Sequence, residues 1–206
     1  MKIPIESYAR MGAWFTSHQF FYSSAYVEFD LYEQRLKKLR EAEEASEKAH
    51  STEGKYKKDL VRHDTADLQK PCMRAAYSAL MFGCMSFEAF LNNYGVRRLG
   101  QAYFKRFVER MGITEKLAYL LCIGRTEILS TDDEIIDKCR GLFDARNALA
   151  HPKTKEVKID DFGALPIPDN HPATFPIKKH FEDLEACIDA LCQHDKDINR
   201  SWEFKK

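Results

Sequence analysis

The chain has 206 residues, 44% apolar and 31% charged, which is long enough for one domain with a real core and too polar for a set of membrane spans. Lys plus Arg and Asp plus Glu both number 32, a balance that excludes a uniformly basic nucleic-acid coat but leaves room for a local basic site. Nine Gly and seven Pro are few for this length and disfavour an all-β chain built on tight turns.

Met1 to Arg10 lacks the apolar centre of a signal peptide, and Met11 to Phe15 is expected to plug the end of a helical bundle. Phe21, Ala25, Phe29, Tyr32, Leu36 and Leu39 recur in steps of four and three, predicting a helix from about Ser17 into the forties. Its charged second half, Arg35 to His50, is expected to project into solvent, and Ser51 to Lys70 reads as a polar connector, partly helical at most. Pro71 suits the first turn of a second helix, Cys72 to about Arg98, which is apolar on most sides and therefore central. Within it the longest nearly apolar run, Ala75 to Leu91, is broken by Ser78, Gly83, Ser86 and Glu88, too polar to span a bilayer. Short helices follow at about Gln101–Met111 and Thr114–Ile123.

Thr131 and Glu134 have the spacing of a capping box for a helix of roughly twenty residues that ends near His151-Pro152. Lys153 to Phe175 carries Gly163, Pro166, Pro168, Asn170 and Pro172 and reads as a long loop, with one short strand at Val157 and Ile159. Ile177, Phe181, Leu184, Ile188, Leu191 and Ile198 form a last helix with Pro176 near its start. No repeat or linker divides the chain, so residues 1–206 are expected to form a single all-α domain. The six cysteines form no C-x-x-C pair and read as reduced core thiols of a cytoplasmic protein.

Two helices break their own pattern. In the helix ending at His151, Ile135, Cys139, Leu142, Phe143, Leu149 and Ala150 share a side at about 100° per residue, and Arg146 falls in the middle of it. A guanidinium there is costly unless it is paired or opens onto an interface. Arg146 and His151 are also what a helix C-terminus uses to complement its dipole and cap its carbonyls, and a long Arg side chain can reach the surface from a core angle. In the central helix Arg74, Ser78, Met81, Met85, Glu88 and Asn92 form one polar stripe. It is either the solvated face of a buried helix or a surface toward a polar cleft or partner subunit. Glu88 is the candidate to hold Arg146 through a charge-assisted bidentate hydrogen bond.

Arg146-Asn147-Ala148-Leu149-Ala150-His151 resembles the R-x4-6-H motif of the HEPN superfamily, with a polar residue directly after the Arg. Ser86-Phe87-Glu88-Ala89-Phe90-Leu91-Asn92 is similar to the second core helix of many HEPN proteins, and Glu115-Lys116-Leu117 fits the segment before the motif helix. The likeness spans roughly residues 15–200. It implies an up-and-down helical bundle with two long core helices that dimerises. It also implies a metal-independent endoribonuclease of toxin–antitoxin, antiphage or RNA-processing systems, or alternatively a non-catalytic module that binds a protein or nucleotide. The resemblance makes Arg146 and His151 the catalytic pair and Asn147 a supporting residue. Some members carry a modifiable Tyr two residues after the His, a position held here by Lys153.

The chemistry suits these residues. Cleaving RNA with its own 2′-hydroxyl needs a base, an acid and stabilisation of charge on phosphorus. His supplies proton transfer near neutral pH, and Arg a permanently charged fork. One motif has one His, so two motifs brought together at a homodimer interface would supply both proton-transfer groups. Lys153 and Lys155 follow the His directly and are candidates to hold flanking phosphates. The expected partners are therefore an RNA substrate, a second copy of the chain, and a cognate antitoxin or regulatory protein, with no membrane. No cofactor or metal is expected: the sequence has no phosphate-loop, dinucleotide or HExxH motif, and His180, Cys187 and His194 read as ordinary core and surface positions. The basic runs Arg35-Lys37-Lys38-Arg40, Lys55-Lys57-Lys58, Arg97-Arg98 and Lys105-Arg106 read as solvated helix faces. A third reading leaves a helical scaffold in which Arg146 and His151 are only caps.

Overall fold

A computed structural model describes residues 17–52, 54, 57–123, 133–151, 171–198 and 200–204. These residues are helical almost throughout and contain no strand. Helix α1 runs Ser17–Ala49 and α2 Lys57–Leu99; α3 is Gln101–Phe107, α4 Ile113–Cys122, α5 Glu134–Ala150, α6 Ile177–His194 and α7 Arg200–Glu203, with a 3₁₀ turn at Pro172–Thr174. Two long helices, short connecting helices and a return through α5 and α6 make the all-α bundle that the periodicity anticipates. None of the described helices is long and apolar enough to cross a membrane.

The long α1–α2 hairpin is the frame. The second half of α1 does not project into solvent. Leu36 and Leu39 are buried. Ser46 donates to Asp64 at 2.7 Å, and His50 Nε2 lies 3.0 Å from the same carboxylate. The reason is that α2 begins at Lys57, fourteen residues before the expected Pro71 start, and so gives α1 a partner along its charged half. Pro71 therefore sits inside a helix, where it removes one ladder bond. The carbonyl of Asp67 that loses its donor belongs to an exposed residue, and Pro71's own carbonyl accepts from Arg35 Nη1 at 2.8 Å. Packing on both sides of α2 outweighs the break: Cys72, Ala75, Ala76, Ala79, Leu80, Phe87, Phe90 and Leu91 are fully or almost fully buried.

Gly95 lets α3 fold back against α2. A Cβ there would stand 2.4 Å from the Phe104 ring, so only glycine admits this close approach. Helix α5 starts at Glu134 with Asp133 as its cap, the Asp133 carboxylate accepting from Ile135 N at 3.0 Å. Glu134 is thus the first helical residue, and the capping box expected with Thr131 is not the start used; Thr131 itself lies outside the described residues. Helix α6 ends at His194 rather than continuing through Ile198, yet Ile198 stays buried in the turn that follows. Buried Ile177, Phe181, Leu184, Cys187, Ile188 and Leu191 give α6 the apolar stripe read from its sequence. All six cysteines are free thiols, four of them buried. The apolar segment Met11–Phe15, residues 153–170 of the predicted loop and the predicted strand at Val157 and Ile159 lie outside the described residues, while the end of the loop forms the 3₁₀ turn Pro172–Thr174.

Candidate active site

Helix α5 buries Ile136, Cys139, Leu142 and Phe143, and Arg146 continues that stripe toward the C-terminus. The guanidinium reaches part of the way out, with its side chain 27% exposed. Its carbon stands 5.2 Å from the centroid of the Phe143 ring, which packs in turn near Phe87 of α2. Its charge is felt inside the bundle: burial pushes the Cys84 thiol up to about 12, and the nearby Arg146 acts in the opposite direction.

Glu88 is the carboxylate beside Arg146, as the sequence suggests, but the contact is looser than the expected bidentate bond. Arg146 Nη2 lies 3.7 Å from Glu88 Oε2, an ion pair without a hydrogen bond. The Glu88 side chain is 45% exposed and keeps water, while the guanidinium leans on Phe143. Arg146 Nε is buried with no hydrogen-bond acceptor. This orphaned donor on a permanent cation matters, because such a group is expensive unless an acceptor arrives.

Asn147 and His151 stand at the exposed end of α5. His151 is the C-cap, with φ −129° and ψ 64°, and its backbone N–H donates to Asn147 O at 2.9 Å. Pro152 follows in the sequence, which disfavours helical geometry at His151, and His151 is exposed. Arg146 and His151 are five residues apart, about 7.5 Å along the axis at 1.5 Å per residue. The Asn147 carbonyl that accepts from the His151 N–H is the last rung of the helix, a bond that any residue at this position would make. Lys153 and Lys155 lie outside the described residues.

Lys116, on α4, is a residue to which the sequence reading gives no role of its own. It is 3% exposed, and Nζ donates to Asn92 Oδ1 at 2.7 Å while lying 5.8 Å from the Phe104 ring. Burial pulls its ammonium below the usual lysine range, and the carboxylates of Glu88 and Glu109 act against that. One turn of α2 thus carries Glu88, facing Arg146 from α5, and Asn92, facing Lys116 from α4. The signal was present in the sequence: Lys116 falls on the stripe of Ile113, Leu117 and Leu120, the same displaced cation as Arg146.

The polar stripe of α2 is a surface, not core. Arg74 and Met85 are exposed, and Ser78, Met81, Glu88 and Asn92 are half-buried. Its first half lines an open groove of about 570 Å³ bounded by Lys70, Arg74, Tyr77, Ser78, Met81 and Phe82. Among the described residues no group of His, Cys, Asp and Glu side chains is arranged to hold a metal; Cys187 is core, and His194 Nε2 faces Ile123 O at 3.0 Å. Compared with known proteins, the chain matches no family model, no curated protein and no solved structure.

Proposed function

We propose that this chain is a metal-independent endoribonuclease of the HEPN type, cutting single-stranded or loop RNA as a homodimer in a toxin–antitoxin or antiphage setting. The observation that carries the reading is Arg146: a half-buried guanidinium with an unpartnered Nε and no hydrogen-bonded carboxylate, next to an exposed His151. A phosphate meeting the accessible part of the guanidinium would displace little, because Glu88 holds the cation without saturating it, and a turn of the side chain toward that phosphate would bring Nε to an acceptor.

In this reading His151 takes the proton from the 2′-hydroxyl, and the freed oxygen attacks the adjacent phosphorus. Arg146 holds the charge that develops on the non-bridging oxygens. The P–O5′ bond breaks, and a second imidazole, His151 of the other copy, protonates the departing 5′-oxygen. The exposed Met85 on the same α2 stripe as Glu88 supports a second copy meeting the bundle on this face. The nucleophile comes from the substrate and the counter-charge from Arg146, so the reaction needs no metal.

The test is cleavage of an unstructured RNA by pure protein in EDTA. Products ending in 2′,3′-cyclic phosphate and 5′-hydroxyl are expected, with no cleavage where a single 2′-deoxynucleotide blocks the scissile position. Cleavage at the wild-type rate by His151→Ala sinks the mechanism. The groove beside Met81 and Phe82 favours a second reading, a non-catalytic dimeric module that seats a protein partner or nucleotide there. Wild-type protein that cuts no RNA but binds such a partner supports it.

A further inference from the structure

We propose that the outer face of α3 and the turn that follows it form a binding platform for single-stranded nucleic acid, built from Tyr103, Phe107, Arg106 and Arg110 and distinct from the Arg146–His151 site. The proposal does not depend on cleavage, because it concerns how unpaired bases and their phosphates are held.

The local geometry makes the platform. Phe104 is 2% exposed and is wedged against Gly95, which fixes the inner side of α3. Tyr103 and Phe107 lie four residues apart on the outer side, 44% and 50% exposed, with ring centroids 4.8 Å apart. Two half-exposed aromatic rings on a seven-residue helix are unusual when nothing covers them. They are also held in place. The Tyr103 hydroxyl lies 3.0 Å from that of Tyr119 on α4, and the Arg106 guanidinium carbon stands 5.0 Å from the Phe107 centroid. Pre-ordered rings lose little freedom when a base stacks on them.

The charges around the rings select the ligand. Lys105, Arg106 and Arg110 are exposed, and among the described residues none has a carboxylate within ion-pair distance; the single acid in the same stretch is Glu109. The neighbouring basic pair is different: Arg97 is bound to Glu203 at 2.7 Å and Arg98 to Asp195. Unlike Arg97 and Arg98, these cations are open to an external anion. Aromatic faces alternating with unneutralised cations fit a strand of unpaired bases and phosphates, with the bases stacking and the cations tracking the backbone. A duplex keeps its bases inside and cannot offer them to Tyr103 and Phe107. Two rings ringed by cations are also far smaller than the ~1,000 Å² that a specific protein interface needs. Lys116, beside Asn92, and Tyr119, beside Tyr103, are three residues apart on α4, so the platform and the Lys116–Asn92 pair are set by the same short helix.

The experiment uses the full chain carrying His151→Ala, so that no probe is cut, and measures anisotropy of short fluorescent oligouridine and oligodeoxyuridine. Both should bind, with a duplex of the same length competing poorly. Phe107→Ala and Tyr103→Leu should each weaken binding about tenfold, at an unchanged urea midpoint. Tyr103→Phe and Phe107→Trp, which keep a ring, should retain it. Arg110→Gln should flatten the slope of log affinity against log salt by about 0.7. Arg146→Ala should leave most of the binding intact, which separates this platform from the proposed nuclease site. If wild type cuts no RNA yet these results hold, the nuclease reading fails and the platform stands. Absence of binding to either single strand overturns the proposal. So does equal binding by duplex, or full binding in the doubly substituted Tyr103→Leu, Phe107→Ala protein. The patch is instead a contact between copies if Phe107→Ala abolishes self-association in sedimentation while nucleic-acid binding is unchanged.

Discussion

Glu185 and Glu203, where α6 and α7 meet α1, are saturated with donors, whereas Glu88, beside Arg146, is not. Glu185 accepts from Tyr22 at 2.6 Å, from Tyr26 and from Arg200. Burial first, and then bonding to this carboxylate, pushes both tyrosine hydroxyls well above the usual phenol range. Glu203 is 3% exposed and accepts from His18 Nε2 at 3.1 Å and Arg97 Nη1 at 2.7 Å. Burial pushes its carboxyl up, but these two partners outweigh that and leave it below the usual range. These clusters tie the chain's last described helix to the start of α1, so their charges serve the fold. Glu88 instead stands 3.7 Å from a guanidinium whose Nε has no acceptor. His18 Nδ1 in the Glu203 latch also lacks a hydrogen-bond partner, so an open valence alone does not mark a site; what distinguishes the Arg146 region is that its carboxylate, Glu88, is half-exposed and makes no hydrogen bond to the guanidinium.

Substitutions can break this contrast, starting with the largest expected effect. His151→Ala and Arg146→Ala should each lower RNA cleavage by about 10²–10⁴ while moving the urea midpoint little, since neither side chain is buried in a satisfied network. A large loss of stability in either variant would place Arg146 and His151 with the latches instead.

Glu203→Ala should do the opposite. It removes the buried carboxylate that Arg97 and His18 bond and should cost about 3 kcal/mol in urea unfolding, with the remaining folded protein as active as wild type. The Glu203 carboxyl titrates lower in the folded than in the unfolded state, so its stabilisation is complete above the unfolded value of about 4.3 and is lost as pH falls through the lower folded value. Wild type should lose stability faster than Glu203→Gln over that acid window.

Glu88→Ala should cost less than about 1 kcal/mol, because a half-exposed ion pair without a hydrogen bond contributes little. Its effect on cleavage should exceed its effect on stability. A cost near that of Glu203→Ala would make Glu88 a structural partner.

Lys116→Met is expected to change stability at neutral pH by no more than about 1 kcal/mol, since the lost Asn92 bond is offset by removal of a desolvated cation. Its pH dependence is the sharper measure. The folded ammonium titrates below the unfolded value of about 10.4, so the unfolded chain binds more protons in between and wild-type stability gains with rising pH across that window. The difference between wild type and Lys116→Met in urea titrations should follow that slope, which a solvated Lys116 would not produce.

Much of the bundle was legible in the chain. The α1 stripe from Phe21 to Leu39, the apolar centre of α2 and the α6 stripe from Ile177 to Leu191 appear where their periodicity puts them. Arg146 and Glu88 could be paired on paper because each breaks the pattern of its own helix. The start of α2 was not legible, because Lys57 to Lys70 has weak periodicity and Pro71 reads as a helix start; what makes that segment helical is the α1 surface against it. The Asp133 cap was hidden by a competing capping-box spacing two residues earlier. Lys116 was missed because a single lysine on a short helix reads as solvated until its neighbours are known.

Sequence by itself determined which faces of the helices must be apolar and which residues violate them, because periodicity and side-chain chemistry are local properties. It determined that Arg146 would need a partner, and that Pro152 would disfavour helical geometry at His151. Only the tertiary structure decided how the cations are held. Asn92 hydrogen-bonds Lys116, while Glu88 stops 3.7 Å short of saturating Arg146. On the outer face of α3 the cations keep no carboxylate within ion-pair distance among the described residues, whereas Arg97 and Arg98 are claimed by Glu203 and Asp195. These outcomes depend on distances between residues far apart in the chain, and a few tenths of an ångström separate a hydrogen bond from an open valence.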